Sequence, residues 1–230
     1  MPPMTWAAEP MAAIVKFEIR HGSPEAGALF QWAVATVNSL HYLDDIDNAY
    51  DQSRATMGHS PTVVDVAHVR WATSSCISAM DLCAAGLGRA FCEHRDQRDL
   101  DLADFGRPKK LPPVRPRFVR NIRAPEWIFR LRLWDRAQRR QTENALRRGQ
   151  LPVMARLWVD RAWPDYVRLR KVRNLLIHSR VPRHFALGDT PNRLQLGMKG
   201  RRVGVRDLVM DARDVAARHV AALIEVLPNL

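Results

Sequence analysis

The chain has 230 residues, enough for one domain with a substantial core, and its apolar content of 47% and charged content of 26% argue against wholesale disorder. Its unusual property is charge, because 36 Lys and Arg residues outnumber 24 Asp and Glu residues and give a net charge of +12. This excess favours a polyanionic partner, with nucleic acid ahead of an anionic membrane. The alternative is an Arg-rich surface that reflects compositional bias alone.

The cysteines exclude several classes of protein. Cys76, Cys83 and Cys92 are odd in number, and their spacing matches neither a zinc motif nor a redox motif. Cys76 and Cys83 lie on one face of a helix, so we expect them to be buried apolar residues. A zinc site that combines Cys92 with His94 lacks a second pair of ligands, so we expect no metal and no cofactor. The sequence shows no signal peptide and no apolar run of membrane-spanning length, which predicts a cytoplasmic protein that does not enter the membrane.

In chain order, the first predicted element is a short N-terminal strand, because apolar and charged residues alternate over 13–20. Ser23 and Pro24 then form a helix-opening pair, and the helix is predicted to reach about residue 54. The longest helix is predicted over 61–94. Its middle consists of small residues, which allow neighbouring helices to approach closely, so we expect it at the centre of a bundle.

Residues 106–123 form a basic, proline-rich loop, in which seven Lys and Arg residues alternate with four prolines that prevent regular structure. An extended basic segment of this kind can follow a phosphate backbone. This loop therefore supplies three predicted nucleic-acid contacts, at Arg115, Arg117 and Arg120. A second interpretation remains open, in which the loop is a linker wrapped over the bundle.

The remaining elements complete an all-α prediction. A strongly basic helix is predicted over 125–148, with Leu146 on its apolar side. Pro152 opens a further helix, in which Leu169 and Val172 share the buried face, and Pro182 terminates it. A small C-terminal β-hairpin, with Gly200 in its turn, is predicted over about 193–206, followed by a closing helix over 207–227. We therefore expect a single domain over 1–230, an antiparallel helical bundle with an N-terminal strand and a C-terminal hairpin.

The end of the helix before Pro182 carries the residues with the clearest chemistry. Asn174 and His178 are four positions apart and so lie on one side of the helix, while the long side chain of Arg173 reaches the same end. An imidazole exchanges protons near neutral pH, and a guanidinium holds a phosphate through two hydrogen bonds. These groups are the ones that phosphodiester cleavage without a metal requires.

The segment 172–179, Val-Arg-Asn-Leu-Leu-Ile-His-Ser, resembles the Arg-Asn-x3-His signature of HEPN domains, many of which are metal-independent ribonucleases. The helix around residues 73–85 is similar to the small-residue core helix that precedes the motif helix in that family. The resemblance implies a HEPN-like helical core over about 24–182. It also implies a homodimer, because two HEPN protomers face each other to form one composite cleft.

The resemblance further implies an endoribonuclease that uses the ribose 2′-OH as nucleophile. His178 would be the acid and base, Arg173 would stabilise the transition-state phosphate, and Asn174 would orient the cleft. Basic residues around the motif are expected to hold the RNA strand: Arg170, Lys171, Arg180, Arg183 and His184.

Two other hypotheses stay open. In the first, the chain is a non-catalytic HEPN-like module that binds RNA or a protein. In the second, it is a toxin or defence effector whose partner is an antitoxin protein. Some toxin members of the family carry a modifiable Tyr two positions after the motif His, and this position is Arg180 here.

Overall fold

The computed structural model describes residues 8–40, 62–92, 100–106, 124–178, 185–187, 194–198 and 201–230. Within these ranges it describes the side chains of 9–40, 70–92, 100–106, 134–174 and 207–230. The described part contains six α-helices: α1 (Ala8–His21), α2 (Pro24–Ser39), α3 (Thr62–Phe91), α4 (Ala124–Gln150), α5 (Val153–His178) and α6 (Val205–Val226).

The central element is α3, which packs against α2, α5 and α6. Its small side chains explain this position, since the neighbouring helices meet little bulk along it. One close approach is at Gly86, where an added Cβ atom would lie 2.5 Å from the Cε1 atom of the fully buried Phe30. Five small residues of α3 have no exposed surface: Ala72, Cys76, Ala79, Cys83 and Ala84.

The predicted N-terminal strand is wrong, because residues 13–20 lie within α1. The alternation that suggested a strand also contains a helical spacing. Ile14 and Phe17, three residues apart, are fully buried, whereas Val15 and Ile19 are 42% and 79% exposed. A strand would have placed Phe17 on the same face as Val15 and Ile19. Burial against Phe30, in an edge-to-face contact, selects the helix instead.

Over residues 134–150, helix α4 contacts a short 3-10 segment, Leu102–Phe105, largely through polar groups. The Asn144 side-chain amide donates a hydrogen bond to the Ala103 carbonyl oxygen at 3.0 Å. The Asp104 carboxylate lies 3.6 Å from the Arg147 guanidinium. Asp104 also closes a capping box with Asp101. Leu146, predicted on the apolar side of this helix, is 66% exposed.

The C-terminal part has three short strands, β1 (Phe185–Leu187), β2 (Leu194–Met198) and β3 (Arg201–Gly204), in an antiparallel sheet of that order. Leu196 of β2 pairs with Phe185 on one side and with Val203 on the other. Strands β2 and β3 fall in the span 193–206 for which a hairpin was predicted. Helix α6 follows directly and buries Val215, Val220 and Leu223 against the core.

Among the residues whose side chains are described, the buried core comes mainly from the helices, which fits the predicted all-α class. Helix α1 and helix α6 both contribute to this core, at Phe17 and Leu223 for example. The predicted basic loop lies outside the described residues, apart from Gly106. Over the ranges that the structure describes, no helix combines the length and the apolar character needed to cross a bilayer.

We predict that Gly86→Ala lowers the free energy of unfolding by about 1–3 kcal/mol, because the new methyl group overpacks the contact with Phe30. This loss exceeds the gain of about 1 kcal/mol that alanine brings to a helix. The matched control is Gly149→Ala in α4, where an added Cβ atom meets nothing within 4 Å. Urea unfolding should show that Gly149→Ala is neutral or stabilising. Equal effects of the two substitutions would contradict the proposed packing.

Candidate functional site

The candidate site lies at the C-terminal end of α5. Leu169 and Val172 are buried in the core, as the helical spacing predicted. Pro164 is exposed and lies within one continuous helix, so α5 is not divided there. The helix ends at His178, so that residue and Arg173 and Asn174 occupy its last two turns.

Arg173 is partly buried, whereas its neighbour Asn174 is exposed. The Nε atom of Arg173 is buried and has no hydrogen-bond partner among the described residues. A buried donor without an acceptor costs about 1–3 kcal/mol, and more when the group is charged. An anion placed beside Arg173 would supply the missing acceptor. The side chain of His178 is outside the described set, so the arrangement of its imidazole around this donor remains a prediction.

The predicted RNA contacts divide into two groups. Lys171 is exposed on α5, and Arg170 is partly buried, with its guanidinium carbon 5.5 Å from the centre of the Tyr166 ring. That contact is a cation–π interaction, which restrains the Arg170 side chain. The other predicted contacts lie outside the described residues: Arg115, Arg117, Arg120, Arg180, Arg183 and His184.

Sequence analysis missed a buried polar contact that fixes the orientation of α5. The Asp81 carboxylate of α3 accepts a hydrogen bond from the Leu102 backbone N–H at 2.9 Å and another from the Tyr166 hydroxyl. Tyr166 and Arg170 precede Asn174 at four-residue intervals, so all three lie along one side of α5. The available signal was Asp81, which is the one acid in the stretch of small residues 72–88 of α3.

Burial raises the pKa of Asp81 to about 6, and the nearby charge of Asp101 adds to this effect. The hydrogen bonds from Leu102 and Tyr166 and the charge of Arg170 act in the opposite direction but are weaker. The same contact and the burial of the phenol raise the pKa of Tyr166 as well. Tyr166 is therefore a hydrogen-bond donor at neutral pH.

A second polar network joins α5 to α6. The His219 Nε2 atom lies 3.0 Å from the Asp165 carboxylate, and the Trp158 indole donates to the His219 carbonyl oxygen at 2.7 Å. Burial acts to raise the pKa of Asp165, but the His219 hydrogen bond and the charge of Arg168 outweigh it, so this pKa is lowered. Arg168 also pairs with Asp211 of α6. These contacts hold the middle of α5 against α6.

The three thiols are buried and free, which confirms the interpretation of Cys76 and Cys83 as apolar core residues. Burial raises the pKa of Cys76 to about 12 and that of Cys92 to about 11. The thiol of Cys92 lies 3.7 Å from the Arg147 carbonyl oxygen. In the described ranges, no three His, Cys, Asp or Glu side chains are grouped as a metal site requires.

The chain matches no protein-family model, no curated protein and no solved structure. The likeness to HEPN domains therefore depends on the motif residues 172–179 and on the small-residue helix that precedes them.

We predict that Asp81→Asn removes a pH-dependent loss of stability. The folded-state pKa of about 6 is above the ordinary value of 3.8, so folding favours the protonated carboxyl. Stability should therefore fall as the pH rises from about 4 to about 6, by roughly 1–3 kcal/mol at ~1.4 kcal/mol for each unit of pKa difference. Asparagine keeps an acceptor oxygen for Leu102 and Tyr166 but does not titrate.

Urea unfolding at pH 4, 5, 6 and 7 tests this prediction. The stability difference between Asp81→Asn and wild type should grow in favour of the variant across that interval. The control is Asp135→Asn on α4, where the carboxylate is exposed. Parallel pH profiles for wild type and Asp81→Asn would show that Asp81 titrates normally.

Proposed function

We propose that the protein is a metal-independent endoribonuclease of HEPN type, acting in the cytoplasm as a homodimer with a composite cleft. The observation that carries the proposal is the buried Nε donor of Arg173, without a partner among the described residues, next to the exposed Asn174 and one turn before His178. A cation with a free donor beside an amide and an imidazole suits a phosphodiester, since each group matches one requirement of its cleavage.

In the proposed reaction, His178 accepts the proton of a ribose 2′-OH, and the oxygen attacks the adjacent phosphorus. The bond from phosphorus to the 5′-oxygen breaks, and that oxygen takes up a proton supplied by the His178 imidazole of either protomer. The products are a 2′,3′-cyclic phosphate and a 5′-hydroxyl. Positioned proton transfer is worth about 10²–10⁴-fold, and Arg173 would stabilise the charge that develops on the phosphate.

Two features support RNA as the substrate class. The net charge of +12 attracts a polyanion over a long range. Close to the motif, the exposed Lys171 and the restrained Arg170 offer cations on the same helix. We extend the proposal to the remaining predicted strand contacts: Arg115, Arg117, Arg120, Arg180, Arg183 and His184.

The proposed dimer follows from the resemblance to HEPN domains, in which two protomers face each other to form one composite cleft. One chain supplies one Arg173, one Asn174 and one His178, and a facing copy doubles each of them around a single strand. If the protein is a toxin or defence effector, an antitoxin protein would act by covering this cleft.

The test is an RNA-cleavage assay in the presence of EDTA, with wild type, His178→Ala and Arg173→Ala. Wild type should release fragments with 2′,3′-cyclic phosphate ends. His178→Ala should reduce the cleavage rate by about 10²–10⁴-fold, and Arg173→Ala by about 10²–10³-fold, as for loss of one transition-state donor. Each variant should elute as the same oligomer as wild type and unfold at a similar urea concentration.

The control is Arg139→Ala on α4, which removes one exposed charge that we assign to no site. It should cleave at nearly the wild-type rate. Undiminished cleavage by His178→Ala would refute the motif assignment. RNA binding that weakens steeply with salt, together with no cleavage by wild type, would identify a non-catalytic binding module.

A further inference from the structure

A groove lies between the first turns of α5 and the last turns of α6. The two helices run antiparallel there, since Trp158 and Asp165 both contact His219 while Arg168 reaches back to Asp211. The groove has a volume of about 210 Å³. It extends from Met154 to Arg161, which is about 10 Å at a rise of ~1.5 Å for each residue.

The walls of this groove are apolar, and the polar groups of its floor are already hydrogen-bonded. Met154 and Leu157 are each 44% exposed along one side, and Ala222 and Val226 line the other. The polar groups of the floor already have partners. The Trp158 indole donates to the His219 carbonyl oxygen, and the His219 ring is paired with Asp165. A ligand that enters here meets hydrocarbon without displacing a hydrogen bond.

One end of the groove is strongly cationic. Arg161 and Arg218 both line it, and both are exposed. Neither guanidinium forms an ion pair within the described part of the chain, although the charge of Arg218 helps to lower the pKa of Asp165. Two neighbouring arginines differ in this respect, because Arg148 is paired with Asp160 and Arg168 with Asp211. Two unpaired cations beside an apolar channel match an anion that carries an apolar chain.

We propose that this groove binds a single-chain, medium-length fatty carboxylate. The chain would lie between Leu157 and Ala222, and the carboxylate would accept hydrogen bonds from Arg161 and Arg218. The volume supports one short chain, since 210 Å³ exceeds the ~150 Å³ cavity that holds benzene and is below the ~300–1,000 Å³ of drug-sized sites. A nucleic acid would leave the apolar walls uncovered, and an uncharged ligand would leave the two guanidiniums unpaired.

This site is separate from the proposed ribonuclease site. Arg161 and His178 are 17 residues apart on one helix, which places them about 26 Å from each other along its axis. The two proposals can therefore succeed or fail independently. His178→Ala should bind the carboxylate as wild type does, whatever it does to RNA.

Isothermal titration calorimetry with octanoate, decanoate and decanol, each below its micelle-forming concentration, tests the proposal. Decanoate should bind more tightly than octanoate, and decanol should bind at least about tenfold more weakly than decanoate. The double variant Arg161→Gln/Arg218→Gln should weaken decanoate binding by about 10–100-fold, as expected for loss of hydrogen bonds to a charged group. Leu157→Asp should abolish binding, and since Leu157 is already 44% exposed, the variant should fold.

The control is the double variant Arg136→Gln/Arg139→Gln on α4, which removes two exposed charges away from the groove. It should bind decanoate as wild type does. If this control and the groove variant lose the same decanoate affinity, the effect comes from net charge alone, and the proposal is overturned. Equal affinity for decanol and decanoate, or no decanoate binding at millimolar concentration, would also overturn it. If Leu157→Asp instead changes the oligomeric state while decanoate does not bind, the groove is a protein contact.

Discussion

The close approach of helices along α3 is the constraint on which the rest of the structure depends. Helix α3 has Gly86 against Phe30 and small alanine and cysteine side chains elsewhere on its buried surface. It can therefore pack closely against three helices, α2, α5 and α6. A helix enclosed in this way has little room for a polar side chain. Its partly buried acid, Asp81, is held by the Leu102 backbone and by Tyr166. The packing of α3 thus determines which polar contact can form, and that contact in turn orients α5.

Helix α5 is restrained along most of its length before the candidate motif begins. Near its start, the Asp160 carboxylate accepts a hydrogen bond from Arg148 of α4 at 2.5 Å. Asp165 contacts His219 of α6, and Tyr166 contacts Asp81 of α3. Arg173 follows the last of these contacts, at Tyr166, by about two turns. Sites on rigid helices hold their geometry more tightly than sites on loops. A motif that follows three such contacts on one helix is therefore suited to a function that needs fixed geometry.

Local patterns predicted the helices well where one spacing dominated, as at Leu169 and Val172. The prediction failed at residues 13–20, because the apolar residues there fit both the two-residue period of a strand and the period near four of a helix. Only the burial of Phe17 against Phe30 distinguishes these periods. Ser23 occupies the predicted N-cap position, yet its side chain forms no capping hydrogen bond. Asp81 was missed for a related reason, since its partners are 21 and 85 residues away and no local pattern joins them.

The distribution of charge matters more for function than its total. The formal excess of +12 suggests a uniformly basic surface, but several arginines are committed to carboxylates within the fold, as Arg147 is to Asp104 and Arg148 to Asp160. These ion pairs are largely buried, and each removes a cation from the set available to a ligand. Among the remaining cations, those at the two ends of α5 stand beside other groups that suit an anion. Arg173 has an unused donor at one end of α5, and Arg161 faces Arg218 across the groove at the other. An anion approaching the protein therefore meets two distinct sites. Arg173 has an imidazole close to it in sequence, whereas Arg161 and Arg218 stand beside an apolar groove. These neighbouring groups determine which anion each site can hold.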